Sequence, residues 1–141
     1  MSQATHLHEG SCHCGAIHFT VELPDELSGT RCNCSICSQK GAVTVYAPLA
    51  ALTVTRGTDC LTCYSFNTGV AKHYFCARCG IHCFHQTRSA PDKYGVNVAC
   101  LEGITPFDFA EVPVVDGQNH PNDNGGVRRL AGVLRFERAG D

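Results

Sequence analysis

The chain is 141 residues long, 43% hydrophobic and 17% charged, with a formal net charge of −2. This length suits one domain spanning 1–141, and the hydrophobic share excludes a chain that stays disordered. The small negative charge and the lack of a basic run argue against nucleic acid or an anionic membrane as partner, and no apolar run is long enough to span a bilayer.

From Gly15 to Leu23, Ile17, Phe19, Val21 and Leu23 alternate with Ala16, His18, Thr20 and Glu22. That is the period of a half-buried strand, which Pro24 ends. Arg31 to Cys34 predicts a short strand, followed by a helical turn over Ser35 to Lys40 with Gly41 as its cap. Val43, Val45 and Ala47 predict another strand before Pro48. Leu52 to Arg56 and Cys60 to Phe66 read as a hairpin across Gly57-Thr58-Asp59. Ala71 to Phe75 and Ile81 to His85 flank a tight turn at Cys76 to Gly80. Gly95 to Leu101 is strand-like, Asp116 to Gly126 is a polar loop, and Gly132 to Arg138 closes the sheet. No segment sustains a helical period over three turns, so the expected fold is all-β and mostly antiparallel.

Cysteine is the informative residue, at 11 of 141. Met1 to Gly10 has neither a signal-peptide core nor transit-peptide character. With the odd cysteine count, this predicts a cytoplasmic chain whose thiols are reduced. The cysteines also stand in tight pairs, poor partners for each other as disulfides and good chelates for zinc. In Cys12-His-Cys14-Gly15, residues i and i+2 of a strand point to one face and reach one metal. In Cys76-Ala-Arg-Cys79-Gly80, the glycine lets the backbone turn sharply and aim N–H groups at the sulfurs. Together the two pairs supply the four thiolates of a closed structural site.

Cys32-Asn-Cys34-Ser-Ile-Cys37 brings three sulfurs together from one short segment. Three ligands leave a position for water or substrate, as in a catalytic zinc site; alternatively another cysteine completes a second closed set. Cys60 and Cys63 have metal-ligand spacing, but their segment alternates as a strand, so both read as small buried residues. Cys83 and Cys100, on apolar strands, read the same way. His13, His73, His82 and His85 read as packed or surface residues, because the thiolates already complete the ligand sets.

Gly10-Ser-Cys-His-Cys-Gly15, Cys32-Asn-Cys-Ser-Ile-Cys37 with Lys40-Gly41, Phe66-Asn-Thr-Gly69 and Tyr74-Phe-Cys-Ala-Arg-Cys-Gly80 resemble the glutathione-dependent formaldehyde-activating enzyme family. Thr87 to Pro91 and Gly95 to Gly103 look closest to its centromere-protein-V-like branch. The resemblance covers a core of about 10–120 and implies a β-tent, two twisted antiparallel sheets with a zinc knuckle at their edge. It implies two zinc ions, one structural on Cys12, Cys14, Cys76 and Cys79 and one open on Cys32, Cys34 and Cys37. The implied activity is a carbon–sulfur lyase type of reaction, joining glutathione and formaldehyde as S-(hydroxymethyl)glutathione or releasing them. Asp116-Gly-Gln-Asn-His120 stands where the family often carries Asp-Gly-x-x-Trp, with histidine in place of tryptophan.

On this reading a small thiol and an aldehyde are the partners, Cys32, Cys34 and Cys37 form the reacting centre, and Lys40, Arg88 and Asn97 are candidates to hold substrate carboxylates or an oxyanion. Two other classes remain open: a glutathione or zinc carrier without chemistry, and a protein-interaction module.

Overall fold

The structure, a computed structural model, describes residues 4–120, 125–126 and 129–140. The alternating segment forms β2 (His18–Pro24), paired antiparallel with β1 (Thr5–Ser11) from Thr5↔Pro24 to Ser11↔His18. Ile17, Phe19, Val21 and Leu23 are at most 1% exposed. Burying side chains of this size contributes about 1.5–3 kcal/mol each before ordering entropy is counted. Gly10 lies opposite Phe19, and a Cβ there would stand 2.4 Å from the ring, so the glycine makes room for the largest apolar group of the sheet. β1 itself carries no apolar period; pairing with β2 makes it a strand.

The other edge of β2 pairs with β5 (Leu52–Arg56). The predicted hairpin of β5 with the following strand, β6 (Leu61–Tyr64), does not form, because β6 pairs with β7 (Lys72–Cys76) in another sheet. Gly57, with φ 85°, packs so closely on the Cys12–Ile17 loop that a Cβ would lie 2.0 Å from the Ala16 oxygen. That contact turns the chain away from β5 rather than back along it.

The five-stranded sheet has the order β4-β9-β8-β7-β6, with β4 (Thr44–Pro48), β8 (His82–Gln86) and β9 (Lys93–Asn97), all antiparallel. The expected strand from Gly95 to Leu101 stops at Asn97 and continues as a 3-10 turn over Val98–Cys100. Its buried face, with Val45, Ala47, Phe84 and Val96, meets the inner face of β2, and Phe19 packs edge-on to Phe84 at 5.5 Å between ring centres.

A third sheet departs from the expected pair of antiparallel sheets. β3 (Arg31–Cys32) runs parallel to β10 (Glu111–Val115), which pairs on its other side with β11 (Leu130–Arg135). The last strand thus closes this small sheet, with every residue exposed. Of the predicted polar loop, 121–124 lie outside the described residues. The helical turn is observed as α1 (Ser35–Lys40), ended by Gly41 at φ 67°, whose N–H reaches the Cys37 carbonyl. Among the described residues no helix is long and apolar enough to cross a membrane. All-β architecture is therefore borne out, in three sheets instead of two.

Candidate functional site

Cys12 and Cys14 follow β1, and Cys76 and Cys79 bracket the turn after β7. Their four sulfurs lie within 4.8 Å of one another. Cys14 Sγ is 3.7 Å from both Cys12 Sγ and Cys76 Sγ. Tetrahedral zinc with Zn–S near 2.3 Å separates its sulfurs by about 3.8 Å, so the set fits that ion. Gly15 and Gly80 take φ 79° and 76°, the left-handed turns expected after each pair. The turns aim backbone donors at sulfur: Ile17 N–H to Cys12 and Arg78 N–H to Cys76, each at 3.3 Å. The Cys79 thiol is held down to about 6, first by the Cys14 N–H and then by that of Ile81, which favours the ligating thiolate.

Cys32, Cys34 and Cys37 form the second group, also within 4.8 Å and all half-buried. Cys32 ends β3, Cys34 is the extended residue before α1, and Cys37 lies in the first turn of that helix. The parallel pairing of β3 with β10 lays the segment after β10 across the cluster. There Asn33 Oδ1 accepts from the Gly117 and Gln118 N–H groups at 2.8 and 3.1 Å. A Cβ on Gly117 would stand 2.2 Å from Cys32 Sγ, so only glycine lets this backbone close over the sulfurs. Hydrogen bonding from the Cys32 thiol, then Cys37, pulls Cys34 down to about 2, while the same contacts push Cys37 well up. The soft, convergent donor set suits zinc, and among the described residues no fourth cysteine joins it.

Beside this cluster opens a cavity of about 460 Å³, lined by Cys32, Cys34 and Cys37 and by Arg31, Lys40 and Arg88. Among the described residues no Asp or Glu lines it. Lys40 and Arg88 are thus among the lining residues, as is His120. Asn97 is not. Its amide donates to the His82 carbonyl at 2.9 Å and accepts from Ala99 N–H at 3.1 Å, capping the 3-10 turn outside the cavity.

Lys40 Nζ lies 3.1 Å from His73 Nδ1 and 3.2 Å from His82 Nε2. His73 is stacked between Phe66 and His85, with ring centres at 6.0 and 5.3 Å. Burial, then the Lys40 charge, lowers His73 to about 4, His82 to about 3 and His85 to about 2, so all three are neutral at pH 7. The packed reading of these histidines holds, and His13 is exposed. Missing from the sequence reading were the joining of His73 and His82 to Lys40, with His85 stacked on His73, and the parts played by Arg31, Asn33 and Gly117. Four histidines crowded around cysteine pairs were the available signal for the first. Cys83 and Cys100 are buried as expected, but Cys60 is half-buried and Cys63 exposed, because β6 is the edge strand.

A family model described as glutathione-dependent formaldehyde-activating enzyme matches residues 7–111. A protein of Halomonas elongata, named as a candidate glutathione-dependent formaldehyde-activating enzyme, is 36% identical over 79 residues. Those residues are 50% of this chain and 50% of that protein, so the chain spans about half the length of the curated relative it matches. A crystal structure of a Rhodobacter sphaeroides protein, a structural-genomics target, is 50% identical with a TM-score of 0.72, covering 75% of this chain and 98% of that one.

Proposed function

The chain belongs to the glutathione-dependent formaldehyde-activating enzyme family, and from that premise we propose that it joins an acidic thiol of the glutathione class to formaldehyde, reversibly, at the Cys32/Cys34/Cys37 cluster. The observation that carries this reading is the pairing of a three-sulfur cluster with a cavity holding Arg31, Lys40 and Arg88 and no lining carboxylate among the described residues. Glutathione brings two carboxylates and one ammonium, and guanidinium groups bind carboxylates through paired hydrogen bonds. The volume, about 460 Å³, falls in the range of small-molecule sites, about 300–1,000 Å³.

Cys32, Cys34 and Cys37 are the residues that would hold a zinc ion here. A zinc ion held by these three sulfurs would supply a Lewis-acidic centre with room for a fourth ligand, which would favour the thiolate form of an incoming thiol near neutral pH. The protein's own residues do the rest. Arg31 and Arg88 bind the thiol's carboxylates and set its direction. Asn33 pins Gly117 and Gln118 over the sulfurs, which limits water at the reacting carbon. Phe66 and the buried histidines form a flat wall that suits a small aldehyde. The thiolate adds to the aldehyde carbon, the carbonyl oxygen takes up a proton, and the reverse path releases both reactants.

Glutathione and formaldehyde combine unassisted, so the test is acceleration of their exchange, followed by magnetisation-transfer NMR. Zinc-loaded wild type should speed exchange of glutathione far more than of 2-mercaptoethanol, which lacks carboxylates. Cys34→Ser should abolish the effect. Tight glutathione binding with no acceleration would replace this reading with that of a carrier.

A further inference from the structure

His73 and His85 are directly paired across β7 and β8, with rings stacked at 5.3 Å and 21°. Both line the cavity and both are buried, 4% and 8% exposed. Yet among the described residues His73 Nε2 and His85 Nδ1 have no hydrogen-bond partner. Leaving a buried polar group unsatisfied costs about 1–3 kcal/mol, so a fold that keeps two side by side on a cavity wall has a use for them.

Lys40 decides what these atoms offer. An ammonium group only donates, so His73 Nδ1 and His82 Nε2 must accept from Lys40 Nζ. A neutral imidazole carries one hydrogen, which on His73 is then at Nε2, the unpartnered nitrogen. Just beneath the wall thus lie an N–H donor and a second imidazole nitrogen that gives or accepts according to its tautomer, both covered by the surrounding side chains. Lys40 stands one helical turn beyond Cys37 on α1, which ties this pair to the sulfur cluster.

We propose that His73 Nε2–H and His85 Nδ1 bind the aldehyde-derived oxygen, and that Lys40 is the positioning residue that holds His73 in the donating tautomer. This rests on the reading of the cavity as a thiol–aldehyde site. As the C–S bond forms, the carbonyl π electrons move onto that oxygen, and a donor placed there meets the charge as it develops. In the hydroxymethyl product the same oxygen accepts from His73 and donates its hydrogen to His85. The competing source of an oxygen ligand is a carboxylate of the thiol, which the experiment separates.

The experiment uses zinc-loaded, 15N-histidine-labelled protein and long-range imidazole NMR. In the free protein His73 should show the Nε2–H tautomer, and Lys40→Met should shift it toward a mixture. The His73 and His85 signals should move when formaldehyde is added with 2-mercaptoethanol, which has no carboxylate, and little with glutathione alone. In turnover, His73→Phe and Lys40→Met should lower kcat for exchange by about 10²-fold with KM for glutathione changed less than about threefold, and His73→Gln, which keeps a donor at that reach, should recover part of the loss. Movement with glutathione alone and none on adding formaldehyde would overturn the proposal in favour of a carboxylate. So would unchanged kcat in both variants, while wild-type acceleration left the thiol–aldehyde reading intact. A wild type that neither binds glutathione nor accelerates exchange would remove that reading and this one together.

Discussion

A single methyl group added at Gly117 should strip the Cys32/Cys34/Cys37 cluster of its metal. The added Cβ would lie 2.2 Å from Cys32 Sγ, 2.9 Å from Cys34 Cβ and 3.3 Å from the Cys34 backbone nitrogen. Non-bonded heavy atoms settle at about 3.5–4.0 Å, so Cys32 Sγ or the loop must move by about 1.3–1.8 Å. Zinc–sulfur distances tolerate about 0.2 Å, so a sulfur displaced that far no longer ligates. If the loop moves instead, Gly117 and Gln118 leave Asn33 Oδ1, now at 2.8 and 3.1 Å, and the cluster loses its cover. Overpacking of this kind destabilises by about 1–3 kcal/mol whichever side yields. Gly117 is not in the left-handed region, so space alone is at issue. Gly132→Ala is the control, since a Cβ there meets nothing within 4 Å. Zinc per chain, read by titration against a chromophoric chelator, should fall from two to one in Gly117→Ala and stay at two in Gly132→Ala. Retention of both ions at wild-type affinity by Gly117→Ala would refute the closeness of Gly117 to the sulfurs and the role given to the loop.

Cys34→Ser should also lose one zinc and end acceleration, with little change in thermal midpoint, because its cluster is half-buried and lies at a cavity edge. Cys76→Ser, at a fully buried ligand of the four-sulfur set, should lower the thermal midpoint sharply and abolish cooperative unfolding in chelator. Asn33→Ala removes the acceptor of two loop N–H groups and should weaken the second zinc by about 10–100-fold without touching a ligand, checked by the same titration. His85 is lowered from 6.5 to about 2, chiefly by burial, so below pH 6.5 the unfolded chain takes up a proton that the folded chain refuses. Stability present above pH 6.5 should therefore be lost as pH falls toward 2, and with zinc in excess His85→Gln should reduce the acid-side slope of urea stability by about one proton; an unchanged slope would show that His85 does not titrate this way.

Much of the architecture was legible in local pattern. The alternation of Ile17, Phe19, Val21 and Leu23 defined β2 and its buried face, and the cysteine–glycine punctuation at Cys14-Gly15 and Cys79-Gly80 defined the turns that shape the first site. β1 was not legible, because Thr5–Ser11 is polar on both faces and becomes a strand only by pairing. The misread hairpin of Leu52–Arg56 with Cys60–Phe66 had the same origin: strand content is local, but partners are chosen by distant segments, here β2 and β7.

The sequence by itself determined the cysteine pairs and the three-cysteine cluster that could hold metal, because spacing within a CxC, a CxxC or a CxCxxC depends only on the backbone geometry of a few adjacent residues, whereas the joining of Cys12 and Cys14 to Cys76 and Cys79 is tertiary. It determined as well that α1 stops at Gly41, where the chain turns left-handed. Only the tertiary structure decided what surrounds the second cluster. Asn97 was drawn off to cap a 3-10 turn, while Gly117 was brought onto Cys32 from 85 positions away by the parallel pairing of β3 and β10. His73 and His85 became neighbours through a cross-strand register, and Lys40 reached His73 and His82 from a separate helix. Ligand spacing is short-range chemistry carried by the chain itself; cavity walls and proton positions arise where strands from different sheets meet, and no local pattern records that meeting.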